Sequence, residues 1–193
     1  MGKGVTMSNQ GTVIFLHGLE SGPDSFKIQN MRSMAESMGW LTLAPDGRFS
    51  REPRQRSAAV LAQWPHDAVR VFLVGSSLGG FVAASIAAQV ASEEAQLVSQ
   101  CPTNLCGMLL LCPAFDLPGY PLDRPAQALL GECIQLIHGR ADAVVPLSHS
   151  QRAAKAWGAN LLEVDDDHSL HNSIATICDV LAQRLACAVA VHK

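Results

Sequence analysis

Three side chains could do chemistry together. Ser77 is the centre of Gly75-Ser76-Ser77-Leu78-Gly79, between an apolar run and an alanine-rich stretch. Asp142 follows Gly139-Arg140-Ala141, and His168 closes Asp165-Asp166-Asp167-His168. A serine hydroxyl is a weak nucleophile at neutral pH and needs an adjacent base to take its proton. Imidazole can be that base, because it changes charge near neutrality. A carboxylate on the other ring nitrogen fixes the tautomer and stabilises the imidazolium. The chain order Ser77, Asp142, His168 therefore supplies a nucleophile, an orienting acid and a base for acyl transfer. Glycines two positions either side of Ser77 suit a tight strand-to-helix corner that crowds the nucleophile. In the other register, Ser76 has Val74 two residues before it. The anionic intermediate of such a reaction needs N–H donors. Leu78, opening the following helix, supplies one; Leu19, just after His17-Gly18, supplies the second.

These residues need a scaffold that brings distant loops to one edge. Short apolar runs occur at Thr12–Leu16, Trp40–Ala44, Arg70–Val74, Gly107–Leu111 and Cys133–His138, with a weaker one at Leu161–Val164. Most lack clean polar alternation, as expected of strands buried on both faces. Helical patterns lie between them near Ser25–Met38, Arg54–Trp64, Leu78–Ala91, Leu147–Trp157 and Leu170–Ala188. Gly39 and Gly158 follow two of these as C-caps, and Pro146 suits the entry of a third. The alternation predicts an α/β three-layer sandwich of about six mostly parallel strands with helices on both faces. Sites in such sheets lie at the carboxyl ends of strands. His17, Ser77, Asp142 and His168 all fall in loops at that edge.

Each candidate has rivals. Asp165, Asp166 and Asp167 are also acids near His168, but on so short a loop they rarely reach the imidazole from the correct side. His171 falls in a predicted helix, His138 ends a strand, His17 belongs to the loop carrying Leu19, and His149 lies one turn into a helix. The glycine-rich turn is not a phosphate loop, which needs G-K-[ST], nor a dinucleotide fingerprint, which needs G-x-G-x-x-G.

The segments "FLHGLESGPDSFK", "GSSLGG", "CPAF" and "DDDHSL" resemble the α/β-hydrolase superfamily. In particular they resemble small single-domain esterases of the YqiA kind, over about Val13 to Ser173. The resemblance implies a sheet order of 2-1-3-4-5-6, a serine hydrolase of carboxylic esters or thioesters, and Ser77, Asp142 and His168 as its triad. It implies a small-molecule ester or thioester substrate. No metal and no organic cofactor are expected. The chain departs from the family pattern at Leu19 and Glu20, where an aromatic and a polar residue are common, and at Cys112, where Asn is usual. Two other readings remain open: an amidase or peptidase with the same triad, and a non-catalytic binding protein on the same fold.

At 193 residues the chain suits one domain. We expect a flexible tail over 1–11 and a hydrolase domain over 12–193, with a minimal cap near 113–131. That segment holds Phe115, Leu117, Tyr120 and Leu122 among four prolines, and Phe115 is expected to wall the substrate site. Arg48, Arg51, Arg54 and Arg56 form a basic run. Such runs are usually solvated, but this one lies at the active edge, so Arg48 and Arg51 are candidates to meet an anionic substrate group. The net charge of −3 argues against nucleic acid as a partner, and no apolar stretch approaches the ~20 residues of a membrane span. The N-terminus fits a loose myristoylation pattern at Met1-Gly2 and Thr6 but has no apolar leader. Six cysteines without zinc-ligand spacing are expected as reduced thiols in a cytoplasmic protein. The sequence does not specify an oligomeric state.

Overall fold

Every central strand buries both of its faces, which is why its sequence lacks polar alternation. In β1 (Thr12–Leu16), Val13 and Phe15 join one core cluster while Ile14 and Leu16 join the other. β3 (Val71–Ser76) splits the same way, with Val71 and Leu73 on one side and Phe72 and Val74 opposite. β4 (Leu105–Leu111) sends Met108 and Leu110 one way and Leu109 and Leu111 the other. A period of two in a two-sided core gives a continuous apolar run.

The computed structural model describes residues 9–91, 104–116, 118 and 133–190. Residues 1–8 of the tail expected over 1–11, Cys101 and most of the expected cap lie outside the described residues. Besides β1, β3 and β4, the sheet contains β2 (Leu41–Leu43), β5 (Ile134–Gly139) and β6 (Asn160–Val164). Its order is β2-β1-β3-β4-β5-β6, with every pairing parallel. This is the order that the resemblance implied.

The helices sort onto two faces. α1 (Phe26–Ser37) and α5 (Ile174–Ala190) cover one face through Ile28, Met31, Ala35, Ile177, Leu181 and Leu185. The other face is covered by α2 (Pro53–Leu61), α3 (Leu78–Ala91) and α4 (Leu147–Trp157), through Val60, Phe81, Ile86, Ala153 and Trp157 among others. The result is the three-layer sandwich expected from the alternation of strand and helix patterns.

Two helix boundaries differ from expectation. α5 starts at Ile174 rather than Leu170. Leu170 has a φ of 55°, and Asp166 Oδ2 accepts the Ser173 N–H at 2.8 Å, so a side-chain-held loop replaces the first helical turn. α2 runs Pro53–Leu61, ending before Trp64 in tighter bonds from Gln63 N–H to Val60 O and from Trp64 N–H to Leu61 O. Gly158 caps α4 in the left-handed region at φ 65°, as the sequence suggested.

Candidate active site

β3 ends at Ser76 and α3 begins at Leu78, leaving Ser77 alone at the corner. Its φ is 54°, a left-handed conformation that costs a residue with a side chain on the order of 1–3 kcal/mol. Backbone hydrogen bonds hold it there. Ser77 N–H donates to Leu111 O at 2.9 Å, while Ser77 O accepts from Gly80 at 2.9 Å, Ala114 at 3.0 Å and Phe81 at 3.2 Å. The flanking glycines are a packing requirement. A Cβ on Gly75 would collide with the Gly79 carbonyl, and one on Gly79 with the Leu16 carbonyl.

Asp142 and His168 meet across the ends of β5 and β6. His168 Nδ1–H donates to Asp142 Oδ2 at 2.7 Å, which leaves Nε2 as the basic nitrogen of the neutral ring. Asp142 Oδ1 accepts the Val144 and Val145 N–H groups, each at 2.8 Å. The Asp142 side chain is 0% exposed and that of His168 is 24% exposed, so the acid is sheltered and the base reaches solvent. Burial pushes the Asp142 carboxyl up. Hydrogen bonds from Val145, His168, Val144 and Cys112 outweigh it and hold the group below its ordinary value.

His138 and Cys112 complete the surroundings of this acid. His138 Nε2 lies 3.0 Å from Val145 O and 3.2 Å from Asp142 Oδ2. A carbonyl only accepts, so Nε2 carries the hydrogen, and Nδ1 accepts from the Ser150 hydroxyl at 2.7 Å. Burial lowers the His138 pKa, against the opposing pull of Val145 O and Asp142, and the ring stays neutral. Burial pushes the Cys112 thiol up to about 12; it remains protonated and donates to Asp142. The donor atoms of Cys112, His138 and Asp142 lie within 4.8 Å of one another. Each is already committed to these hydrogen bonds, so the cluster supports the acid rather than presenting a metal cage.

The loop after β1 is pinned from behind. His17 Nδ1–H donates to Gly18 O at 2.7 Å, and Gly47 N–H donates to His17 Nε2 at 2.8 Å. The ring is therefore a neutral tautomer, and burial lowers its pKa. Arg56 adds Nη1 bonds to His17 O at 3.2 Å and Gly18 O at 3.4 Å, and its Nε donates to Ser50 O at 2.7 Å. In a trans peptide, C=O and N–H point opposite ways. Holding Gly18 O toward His17 and Arg56 thus turns the Leu19 N–H the other way. Gly18 borders the elbow: a Cβ added to it would lie 3.4 Å from Ser77 Cβ. Neither the Leu19 nor the Leu78 N–H has an acceptor among the described residues.

Ser77, His168, Leu19 and Leu78 line one cavity of about 470 Å³, a volume typical of small-molecule sites. Its walls are mainly apolar, with Phe15, Ile28, Met31 and Val74 inside and Phe26 and Val144 exposed near the mouth. Among the described residues, Lys27 is the one lysine or arginine in the lining.

Three expected substrate contacts fall elsewhere. Phe115 is 0% exposed and packs edge-on against Phe81 and Trp157 in the core, so it is a core residue and not a cavity wall. Arg48 grips Asp46 at 2.6 Å and Arg51 lies 3.6 Å from Glu20; neither lines the cavity. The rival acids serve the loop itself. Asp166 accepts the Asp167 and Ser173 N–H groups, and Asp167 accepts the Ser169 N–H at 2.7 Å. His149 donates to Phe115 O at 2.6 Å. His171 stacks edge-on against Phe26 and lines the cavity. The roles of His138, Arg56 and Lys27 were not read from sequence. A histidine in an apolar strand, Ile134-Gln135-Leu136-Ile137-His138, was the one available hint of a buried polar network.

Solved structures share this architecture. A candidate hydrolase of the alpha/beta superfamily from Xanthomonas campestris pv. campestris is 26% identical, with a TM-score of 0.76 over 93% of this chain and 99% of that one. Est1E from Butyrivibrio proteoclasticus is 14% identical, with a TM-score of 0.72 over 94% and 89%. An esterase from Pyrococcus furiosus is 16% identical, with a TM-score of 0.67 over 93% and 82%. The chain is a member of the α/β-hydrolase superfamily. Within it, the profile of an uncharacterised protein family, UPF0227, matches residues 12–99, from β1 through α3. No curated protein matches the sequence.

Proposed function

We propose that residues 12–193 act as a single-domain serine hydrolase of small carboxylic esters or acyl thioesters. The observation carrying this reading is the 2.7 Å bond from His168 Nδ1 to a sheltered Asp142, on a cavity shared with Ser77 at its strained corner. His168 Nε2 takes the hydroxyl proton as Ser77 Oγ attacks the acyl carbon. The carbonyl π electrons move onto oxygen, which the Leu19 and Leu78 N–H groups receive. On collapse the C–O or C–S bond breaks, and His168 returns the proton to the leaving alkoxide or thiolate. Water, deprotonated by the same nitrogen, then attacks the acyl-enzyme, releasing the acid and regenerating Ser77. Asp142 stays ionised, holding the imidazole and stabilising its charged form. The hydrolase and esterase names of the structural relatives support the class of reaction. A cytoplasmic setting, in which thiols stay reduced, is part of this reading.

The test is fluorophosphonate labelling beside hydrolysis of 4-nitrophenyl butyrate. Both are expected in the unmodified protein and in Ser76→Ala, and both are expected to vanish in Ser77→Ala. A folded protein that neither labels nor turns over the ester overturns the reading.

A further inference from the structure

One cation of the cavity has no ion-pair partner among the described residues. Lys27, in the first turn of α1, lines the same space as Ser77 and His168. It makes no hydrogen bond and no ion-pair contact with any described residue. The other cations around this edge are taken. Arg48 is bound by Asp46, Arg51 by Glu20, and Arg56 by backbone carbonyls.

Burial lowers the Lys27 pKa, against a longer-range pull from Cys112, Asp142, Asp166 and Asp167. Those carboxylates are not available to it. Asp142 is saturated by Val144, Val145 and His168. Asp166 is held by Asp167 and Ser173, and Asp167 by Ser169. Beside Lys27 the lining combines the apolar Phe15, Ile28, Met31 and Val74 with neutral serines and with Glu20, whose carboxylate faces Arg51 at 3.6 Å. A charged group against apolar walls is stabilised only when an anion or solvent meets it.

We infer that Lys27 is a specificity-determining residue that pairs with a carboxylate on the substrate, so that the preferred substrates are anionic esters or thioesters. This rests on the serine-hydrolase reading above. The cavity then accepts an apolar chain along its walls and a charged group at Lys27. The charge that the sequence assigned to Arg48 and Arg51 is supplied from α1 instead.

The experiment compares matched aryl esters by nitrophenolate release. One pair is 4-nitrophenyl hydrogen adipate against its methyl ester, which puts the carboxylate on the acyl side. The other is 3-carboxy-4-nitrophenyl butyrate against 4-nitrophenyl butyrate, which puts it on the leaving group. In one pair, kcat/KM for the anion is expected to exceed that for the neutral ester by about tenfold or more, as for a charge-assisted hydrogen bond. The preference should lie mostly in KM and shrink in 0.5 M NaCl. It should survive Lys27→Arg and collapse in Lys27→Met. The anion-to-neutral ratio cancels any general loss of activity in a variant. Equal rates within both pairs for the unmodified protein, or a preference that persists in Lys27→Met, overturn the inference whether or not other variants fold. Fluorophosphonate labelling of the same preparations separates the two failures. A protein that labels at Ser77 without anionic preference removes only the role of Lys27; one that does not label removes both readings.

Discussion

Replacing Arg56 with methionine should damage turnover although its side chain does not line the cavity. The methionine keeps most of the aliphatic stem and removes the three donors that reach Ser50 O, His17 O and Gly18 O. The best of these, at 2.7 Å and 3.2 Å, are charge-assisted bonds worth about 1.5–3 kcal/mol each when intact. The loss leaves the His17 carbonyl without that donor. Gly18 O keeps its 2.7 Å bond from His17, so the Leu19 amide loosens without being lost. Complete removal of one oxyanion donor costs about 10²–10³ in kcat. Partial release should therefore cost roughly tenfold, within that ceiling. Steady-state kinetics on 4-nitrophenyl butyrate should show the fall in kcat with KM little changed. Fluorophosphonate labelling should slow in parallel, because the reagent uses the same amides. The denaturant midpoint should fall as well, and Arg56→Lys should lie between the two proteins. An unchanged kcat in a folded Arg56→Met protein would refute the argument from peptide geometry. A change confined to KM for anionic esters would mean that Arg56 touches substrate directly.

Asp142→Asn should lower kcat by about 10⁴, as expected when the base loses the acid that fixes its tautomer, measured with the same ester at neutral pH. Because the folded Asp142 pKa is depressed, its stabilising contribution is present above the unfolded value of about 3.9 and is lost as pH falls through the folded value. Urea midpoints between pH 6 and pH 3 should therefore fall less steeply in the Asn variant; parallel slopes would contradict the sign. His138→Leu should lose roughly 1–3 kcal/mol, because it leaves the buried Ser150 hydroxyl and Val145 carbonyl without their ring partner. It should also reduce kcat by releasing one contact on Asp142, and a variant as stable as the parent in urea would show that the ring is dispensable.

The sheet was legible because its chemistry is repetitive. Ile14 and Leu16 face one helical layer and Val13 and Phe15 the other, and a short apolar run bounded by turn residues suits a strand covered on both sides. The corner at Ser77 was legible for a steric reason, since Gly75 and Gly79 leave no room for a Cβ. What the sequence could not disclose was which way loops fold. Arg56 lies in a run that looks solvated, yet it is 5% exposed, because the chain after β2 folds back over His17. Phe115 looked like a wall because it follows a strand at the active edge. The chain turns at Cys112 and Asp116, both with positive φ, and the ring drops into the core. Lys27 closes the segment FLHGLESGPDSFK, but whether a lysine in the first turn of a helix finds a partner depends on loops more than a hundred residues away.

That separation along the chain has a consequence for synthesis. The groups around the cavity come from α1 as well as from the loops after β1, β3, β5 and β6, so on the proposed mechanism the nucleophile is made long before the base. A growing chain that has released Ser77 still lacks Asp142 and His168, and the strands positioning those two pair at the far side of the sheet. Parallel strands joined by long crossovers are slow to assemble. On the proposed mechanism the Ser77 hydroxyl therefore has no base until the chain has been made through His168 and β6 has joined the sheet.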